Sequence, residues 1–224
     1  MHEKFGVIIL AAGASGYRQK PKQLLPYLGR TLVEHAARTA LASGASEVIV
    51  VVGADATAIR EELRNLPVCV VSNRDWKEGI ASSIRCGIQS LGTSVECSVI
   101  ALCDQPKMTP GLIRELAQRQ METGVSIVAS AYDGVVGAPS AFGKQVFPEL
   151  LALEGERGAR DLIRQSLDSL ETIEFDGGNV AVGEPSVYRP VLPTEDSRKP
   201  IDFSLPPREA RGPPLVNGVL LFAA

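Results

Sequence analysis

Five short runs rich in apolar and β-branched residues recur along the chain: Phe5 to Leu10, Glu47 to Val52, Val68 to Val71, Cys97 to Leu102 and Val125 to Ala131. They are mostly continuous in hydrophobicity instead of alternating, which predicts strands covered on both faces. Amphipathic segments lie between them. Thr31 to Ser43 sets Leu32, Ala36, Ala40 and Leu41 along one helical face and stops at Gly44, while Asp55 stands where it can cap a helix running to Asn65. Ile80 to Leu91 and Pro110 to Thr123 continue the alternation. Strand and helix alternating in this way predict an α/β protein, a single three-layer α/β/α domain with a mostly parallel sheet.

Beyond Ala131 the pattern changes. A Gly/Pro-containing loop is expected over Gly134 to Ser140, then short helical segments at Lys144 to Leu153 and Gly158 to Gln165, then a strand at Leu170 to Phe175. In open α/β sheets ligands sit beyond the carboxyl ends of the strands, so the segments after Leu10, Val71 and Leu102 are expected to carry the function.

Composition narrows the picture. With 224 residues, 45% hydrophobic and 22% charged, the chain is long enough for one sizeable core. Its 23 Lys and Arg against 26 Asp and Glu give a net charge of -3, which speaks against general nucleic-acid binding and requires any polyanionic ligand to be held locally. Cys69, Cys86, Cys97 and Cys103 form no CxxC pair, and the histidines are His2 and His35, so a zinc site is not expected. The runs around Cys69 and from Cys97 to Cys103 read as core strands with buried free thiols, which fits a reducing cytoplasm. No stretch reaches the roughly 18 apolar residues of a membrane span, so no membrane partner is expected. Of 15 prolines, eight fall in the last 42 residues. Residues 1–182 are therefore expected to form the domain, and 183–224 an atypical Pro-rich tail with the composition of a disordered segment.

The first strand is followed by Leu10-Ala11-Ala12-Gly13-Ala14-Ser15-Gly16-Tyr17-Arg18-Gln19-Lys20-Pro21-Lys22-Gln23-Leu24-Leu25-Pro26. Small residues there let backbone N–H groups approach an anion closely, and Arg18, Lys20 and Lys22 add positive charge beside them. In chemical terms this is a phosphate-binding loop. It has neither the GxxxxGK[ST] nor the GxGxxG spacing. The plainer alternative is a tight turn carrying a solvated basic stretch.

This run resembles the LAAGxSxRxGxPKxLLP signature of nucleotidyltransferases with the Rossmann-like nucleotide-diphospho-sugar transferase fold, in particular the MobA-like branch that includes molybdenum cofactor cytidylyltransferase. Three further segments agree. Asn73-Arg74-Asp75-Trp76-Lys77-Glu78-Gly79-Ile80-Ala81-Ser82-Ser83 with Gly87 resembles the NxxWxxGxxxSxxxG base-binding segment, and Cys103-Asp104-Gln105-Pro106 resembles the CDQP metal motif. Gly137-Ala138-Pro139-Ser140-Ala141-Phe142, followed by Gly158-Ala159-Arg160, resembles the GxPxxF and GAR pair near the acceptor.

The resemblance implies attack by an acceptor phosphate on the α-phosphorus of a nucleoside triphosphate, releasing pyrophosphate. It implies that the backbone of Ala11, Ala12, Gly13, Ala14 and Ser15 wraps the triphosphate, that Lys22 meets the α-phosphate, and that Asp104 holds Mg²⁺. Gly79 would let the base approach, and Ser82 or Ser83 would hydrogen-bond it. The family's Arg falls on Tyr17, with Arg18 one place later and Gln19 where Gly is usual. The Ala-Ala-Gly loop and the CDQP motif imply CTP over GTP; molybdopterin is the implied acceptor, and a molybdoenzyme or chaperone an implied partner. Read from the residues alone, Asp104 is a metal ligand or a helix cap near Thr109, both serines can simply begin a helix, and Trp76 either packs under the loop or covers the ligand. The family's DIDTPED-like ending is missing, so either Asp176 or Glu184 supplies the second carboxylate or the metal site is incomplete. Two other functions stay open: transfer to a sugar or polyol phosphate, and nucleotide binding without catalysis.

Overall fold

The N-terminal apolar run forms strand β1 (Lys4–Ala11), buried from Phe5 onward because layers of helix cover both of its faces. The computed structural model describes residues 4–14, 16–17 and 20–180. Six more strands join β1 in one sheet: β2 (Glu47–Val52), β3 (Cys69–Ser72), β4 (Val95–Leu102), β5 (Ile127–Tyr132), β6 (Val135–Gly143) and β7 (Glu171–Glu174). Their order across the sheet is β7-β5-β6-β4-β1-β2-β3. β1 pairs in parallel with β2 and β4, β2 with β3, and β5 with β7; β6 alone runs against its neighbours. Between strands lie α1 (Leu32–Ala42), α2 (Ala56–Leu63), α3 (Ile80–Gln89), α4 (Pro110–Thr123), α5 (Phe147–Leu151) and α6 (Arg160–Gln165).

Alternation along β1 divides the core between the two faces. Val7 and Ile9 pack with Val33 and Ala37 of α1, Ile59 of α2, and Ile113 and Leu116 of α4. Ile8 and Leu10 face the other way, against Ile84 and Ile88 of α3, Leu150 of α5 and Ile163 of α6. The expected three-layer α/β/α arrangement with a mostly parallel sheet is thus the one that forms. The helices that frame the ligand end begin at threonine caps. Thr31 and Thr109 accept hydrogen bonds from Glu34 N (3.3 Å) and Leu112 N (3.1 Å), capping α1 and α4. Arg114 of α4 donates to the carbonyls of Ala42 and Ser43 and so ties α4 to the end of α1.

Three expectations are corrected. Gly134 to Ser140 is not a loop; most of it belongs to β6, which is hydrogen-bonded on both sides. Its ladder with β5 shifts register between Gly137 and Ser140, around a cis Ala138–Pro139 bond. Proline has no N–H to give, so it sits in this irregularity, and Gly and Pro there hid the strand signal. Cys69 is exposed, because β3 is an edge strand, whereas Cys97 and Cys103 are buried; all four thiols are free. Asp55 precedes α2 as expected but makes no side-chain cap bond. The expectation for residues 183–224 lies outside the described residues, as do Ser15, Arg18 and Gln19 of the first loop. Among the described residues no helix is long and apolar enough to cross a membrane.

Candidate active site

The carboxyl ends of β1 and β4, neighbours at the middle of the sheet, hold the first cluster. After β4 the chain turns at Cys103-Asp104-Gln105, and after β1 the Ala12-Gly13-Ala14 segment leaves the sheet. The two are joined by a 3₁₀ turn, Lys22–Leu24, whose Lys22 Nζ donates to Asp104 Oδ2 at 2.6 Å. The Asp104 side chain is 5% exposed and that of Lys22 23%, so the carboxylate is enclosed while the ammonium still reaches solvent. Burial works against the Lys22 charge, but the Asp104 carboxylate, its hydrogen bond and Cys103 outweigh it and raise the pKa above the usual lysine value. Lys22 is therefore a fixed cation at neutral pH. Burial, then the Asp104 charge, pushes the Cys103 thiol up to about 12, so it stays protonated and is no nucleophile.

Asp104 does not cap the helix near Thr109, since Thr109 itself caps α4. Its second oxygen, Oδ1, is buried and has no hydrogen-bond partner. A buried carboxylate oxygen without a donor costs free energy unless a cation or a ligand completes it. Among the described residues no three His, Cys, Asp or Glu side chains gather as a metal cage. A single hard carboxylate beside a loop of small residues is nonetheless a donor set that suits Mg²⁺ or Mn²⁺, which commonly takes its remaining oxygens from phosphate and water. Asp176 lines a cavity of about 350 Å³ with Tyr27, His35 and Lys107, on the α1 side of the Asp104 turn. Glu184 lies outside the described residues.

Sequence reasoning passed over Gln23. Its side chain is only 1% exposed, and Nε2 donates to the carbonyls of Ala11 (3.1 Å) and Gly13 (2.7 Å). Ala12 O accepts from Ala54 N at 3.1 Å, so the stretch after β1 is held from both sides. Gly13 and Ala14 are exposed, and a Cβ on Gly13 would meet nothing within 4 Å among the described residues. The only signal for Gln23 was a polar residue between Lys22 and two leucines.

The segment after β3 is tied to itself. Asn73 Nδ2 donates to Ser82 Oγ (2.8 Å) and Ser83 Oγ (3.0 Å), its Oδ1 accepts from Asp75 N (2.9 Å), and Ser82 Oγ donates to Gly79 O (2.8 Å). Gly79 has φ +109°, and a Cβ there would collide with the backbone of Gly155, whose carbonyl accepts from Ala81 N at 3.1 Å. Packing alone thus demands glycine at this position. Trp76 lies under the loop: it packs against the core cluster around Ile84, with Gly53 leaving room for its Cβ and Cγ.

This geometry agrees with the comparison to known proteins, in which residues 7–170 match the MobA-like NTP transferase domain. The chain belongs to the MobA-like NTP transferase family. It is 34% identical over 166 residues to nicotine blue oxidoreductase of Paenarthrobacter nicotinovorans, covering 71% of this chain and 81% of that protein. The purine catabolism protein PucB of Bacillus subtilis is 29% identical over 168 residues, covering 70% and 79%. Rv0371c of Mycobacterium tuberculosis, solved in complex with manganese, superposes with a TM-score of 0.71 at 28% identity, covering 84% of this chain and 98% of that one. As a nucleotidyltransferase of this family, the chain requires a nucleoside triphosphate and an acceptor.

The remaining MobA-like segments meet on the other side of Asp104. Gln105 is 4% exposed and donates through Nε2 to Ala138 O (2.9 Å) and Gly178 O (3.4 Å), which brings the GxPxxF stretch against the CDQP turn. Its Oε1 is buried without a partner. Tyr132, not singled out from sequence, stands beside it. Burial raises the Tyr132 hydroxyl pKa, opposed by a hydrogen bond from Gln105 and by the Arg160 charge, while the Asp104 charge adds to the rise. Tyr132 and Gln105 therefore stand together next to Asp104, and the Arg160 charge acts on Tyr132. His35 has the expected structural place. Its Nε2 is 3.1 Å from Pro106 O and its ring meets Tyr27 edge-on at 4.8 Å. Burial lowers its pKa, the Pro106 hydrogen bond opposes that, and Arg30 adds to it.

Proposed function

We propose that this protein transfers CMP from CTP to the phosphate of molybdopterin, with release of pyrophosphate. The observation that supports it best is the Lys22–Asp104 pair at the carboxyl ends of adjacent strands, with Asp104 Oδ1 unpartnered beside a loop of small residues. In this reading an acceptor phosphate oxygen attacks the α-phosphorus. One P–O bond forms as the bond to the β-phosphate oxygen breaks, and pyrophosphate carries away the electron pair. No protein nucleophile is needed; positioning and charge neutralisation do the work. The N–H groups of Ala12 to Ala14, with Ser15, bind the β- and γ-phosphates, and Lys22 turns its charge to the α-phosphate. Arg18 adds a second cation. Asp104 Oδ1 holds a divalent cation, for which Mg²⁺ is our choice, supplying further neutralisation of the triphosphate when bound. Gly79, Ser82 and Ser83 border the base, the serines acting through the Asn73 network. Tyr132, Gln105 and Arg160 receive the acceptor, Arg160 by pairing with an anionic group.

The test is pyrophosphate release with CTP or GTP, Mg²⁺ or Mn²⁺, and molybdopterin or a panel of sugar and polyol phosphates. Release with CTP and molybdopterin alone is expected; turnover of a sugar phosphate instead moves the acceptor assignment. A second reading comes from the relative named nicotine blue oxidoreductase, which places an oxidoreductase on the same scaffold. Oxidation of NADH or NADPH by the chain in the presence of nicotine blue, with no pyrophosphate from any acceptor, would favour it.

A further inference from the structure

Gln23 makes two hydrogen bonds that no catalytic step needs, and they act on the peptide groups nearest the phosphate site. In a trans peptide the carbonyl of one residue and the N–H of the next point in opposite directions. With the carbonyls of Ala11 and Gly13 held on Gln23 Nε2, the N–H groups of Ala12 and Ala14 are directed away from Gln23. Gly13 is not demanded by a left-handed backbone, since its φ is not positive, nor by packing among the described residues, none of which lies within 4 Å of a Cβ there. Its freedom makes the Gly13–Ala14 peptide easy to turn over. A turned peptide would present a carbonyl oxygen where an N–H belongs, replacing attraction to an anion by repulsion.

We propose that Gln23 is a positioning residue that fixes the polarity of the Ala12–Ala14 backbone toward a triphosphate. This rests on the nucleotidyl-transfer reading above. The residue type suits the task. A carboxamide places two donors on one nitrogen without charge, which a site 1% exposed tolerates, whereas lysine would bury an unpaired charge and glutamate offers acceptors only. Gln23 Oε1 is buried and has no partner, so the side chain does not stand where its own hydrogen bonding is best satisfied.

The experiment compares Gln23→Met and Gln23→Glu with the wild type in calorimetric titrations with CTP and with GTP, alongside thermal melts. Gln23→Met keeps the volume and removes both donors; the expected loss of triphosphate affinity is about tenfold to a hundredfold. Gln23→Glu binds weakly at pH 8, and its affinity relative to the wild type recovers as the pH is lowered to 5.5, because a protonated carboxyl regains one donor. Taking the ratio to the wild type cancels protonation of the triphosphate itself. A purely structural glutamine would shift the melting temperature and leave that ratio flat. Variants that bind as the wild type does, or a ratio without pH dependence, overturn the proposal. Where Gln23→Met does not fold, the nearly isosteric Gln23→Glu carries the test. Wild-type protein that binds neither nucleotide overturns the nucleotidyl-transfer reading together with this proposal, whereas binding that is indifferent to Gln23 overturns this proposal alone.

Discussion

Two loops at the same end of the sheet use their polar residues in opposite ways. In the cluster after β1 and β4, Gln23, Asp104 and Gln105 are each at least 95% buried, and each keeps one side-chain oxygen without a partner. In the segment after β3, Asn73, Ser82 and Ser83 are buried too, at most 6% exposed, yet they spend their hydrogen bonds on one another and on the Gly79 carbonyl. Family signatures cover both. The difference teaches that a signature residue can be kept for a ligand or for the shape of the loop that meets the ligand, and the hydrogen-bond inventory separates the two cases.

The comparison is most easily broken at Lys22 and Asp104. Lys22→Ala or Asp104→Asn is expected to lower pyrophosphate release by about a hundredfold or more, because charge aimed at the reacting phosphate is lost. The double variant Lys22→Met/Asp104→Asn leaves no unpaired charge, so it should melt at or above the temperature of Lys22→Ala while remaining inactive. Measurable turnover in the double variant would remove the ligand-facing role of this cluster. On the other side, Gly79→Ala combines a left-handed backbone with a collision against Gly155 and is expected to cost about 2–4 kcal/mol in urea unfolding. Asn73→Ala removes the donor to the Ser82 and Ser83 hydroxyls and the acceptor of the Asp75 N–H, for an expected loss of about 1–3 kcal/mol. A fall in nucleotide affinity far larger than this loss of stability would move Asn73 into the ligand-facing class.

The smallest effect expected is at His35. Its folded-state pKa is lowered, so the unfolded chain takes up the proton first and stability falls as the pH drops below the ordinary histidine value of about 6.5. Urea midpoints at pH 7 and pH 5.5 should separate more for the wild type than for His35→Gln. Equal separation would show that His35 contributes nothing to acid sensitivity.

Much of the fold was legible because β1, β2 and β4 are covered on both faces and read as unbroken apolar runs. β6 was not, since Gly137, Ala138 and Pro139 interrupt its apolar character at the point where its ladder shifts register. Cys69 was misplaced for a related reason: an edge strand can be as apolar in sequence as a central one, and only its neighbours decide exposure. Lys22 and Asp104 were legible as members of a motif, but their contact was not, because 82 residues separate them. Gln23 and Tyr132 were missed because their roles depend on which backbone groups and charges the fold places beside them, and no local pattern records that.

The order of strands also bears on how the protein is made. β1 emerges from the ribosome first, yet it lies between β2 and β4 and so waits for residues 95–102 before its second edge is covered. At about 5–20 residues per second, that interval lasts several seconds. During it, an apolar central strand of the sheet presents a row of unpaired backbone groups, the kind of edge on which nascent chains associate. The chain is thus most in need of protection before Asp104 has been added, and the Lys22–Asp104 contact is available only after that hazard has passed.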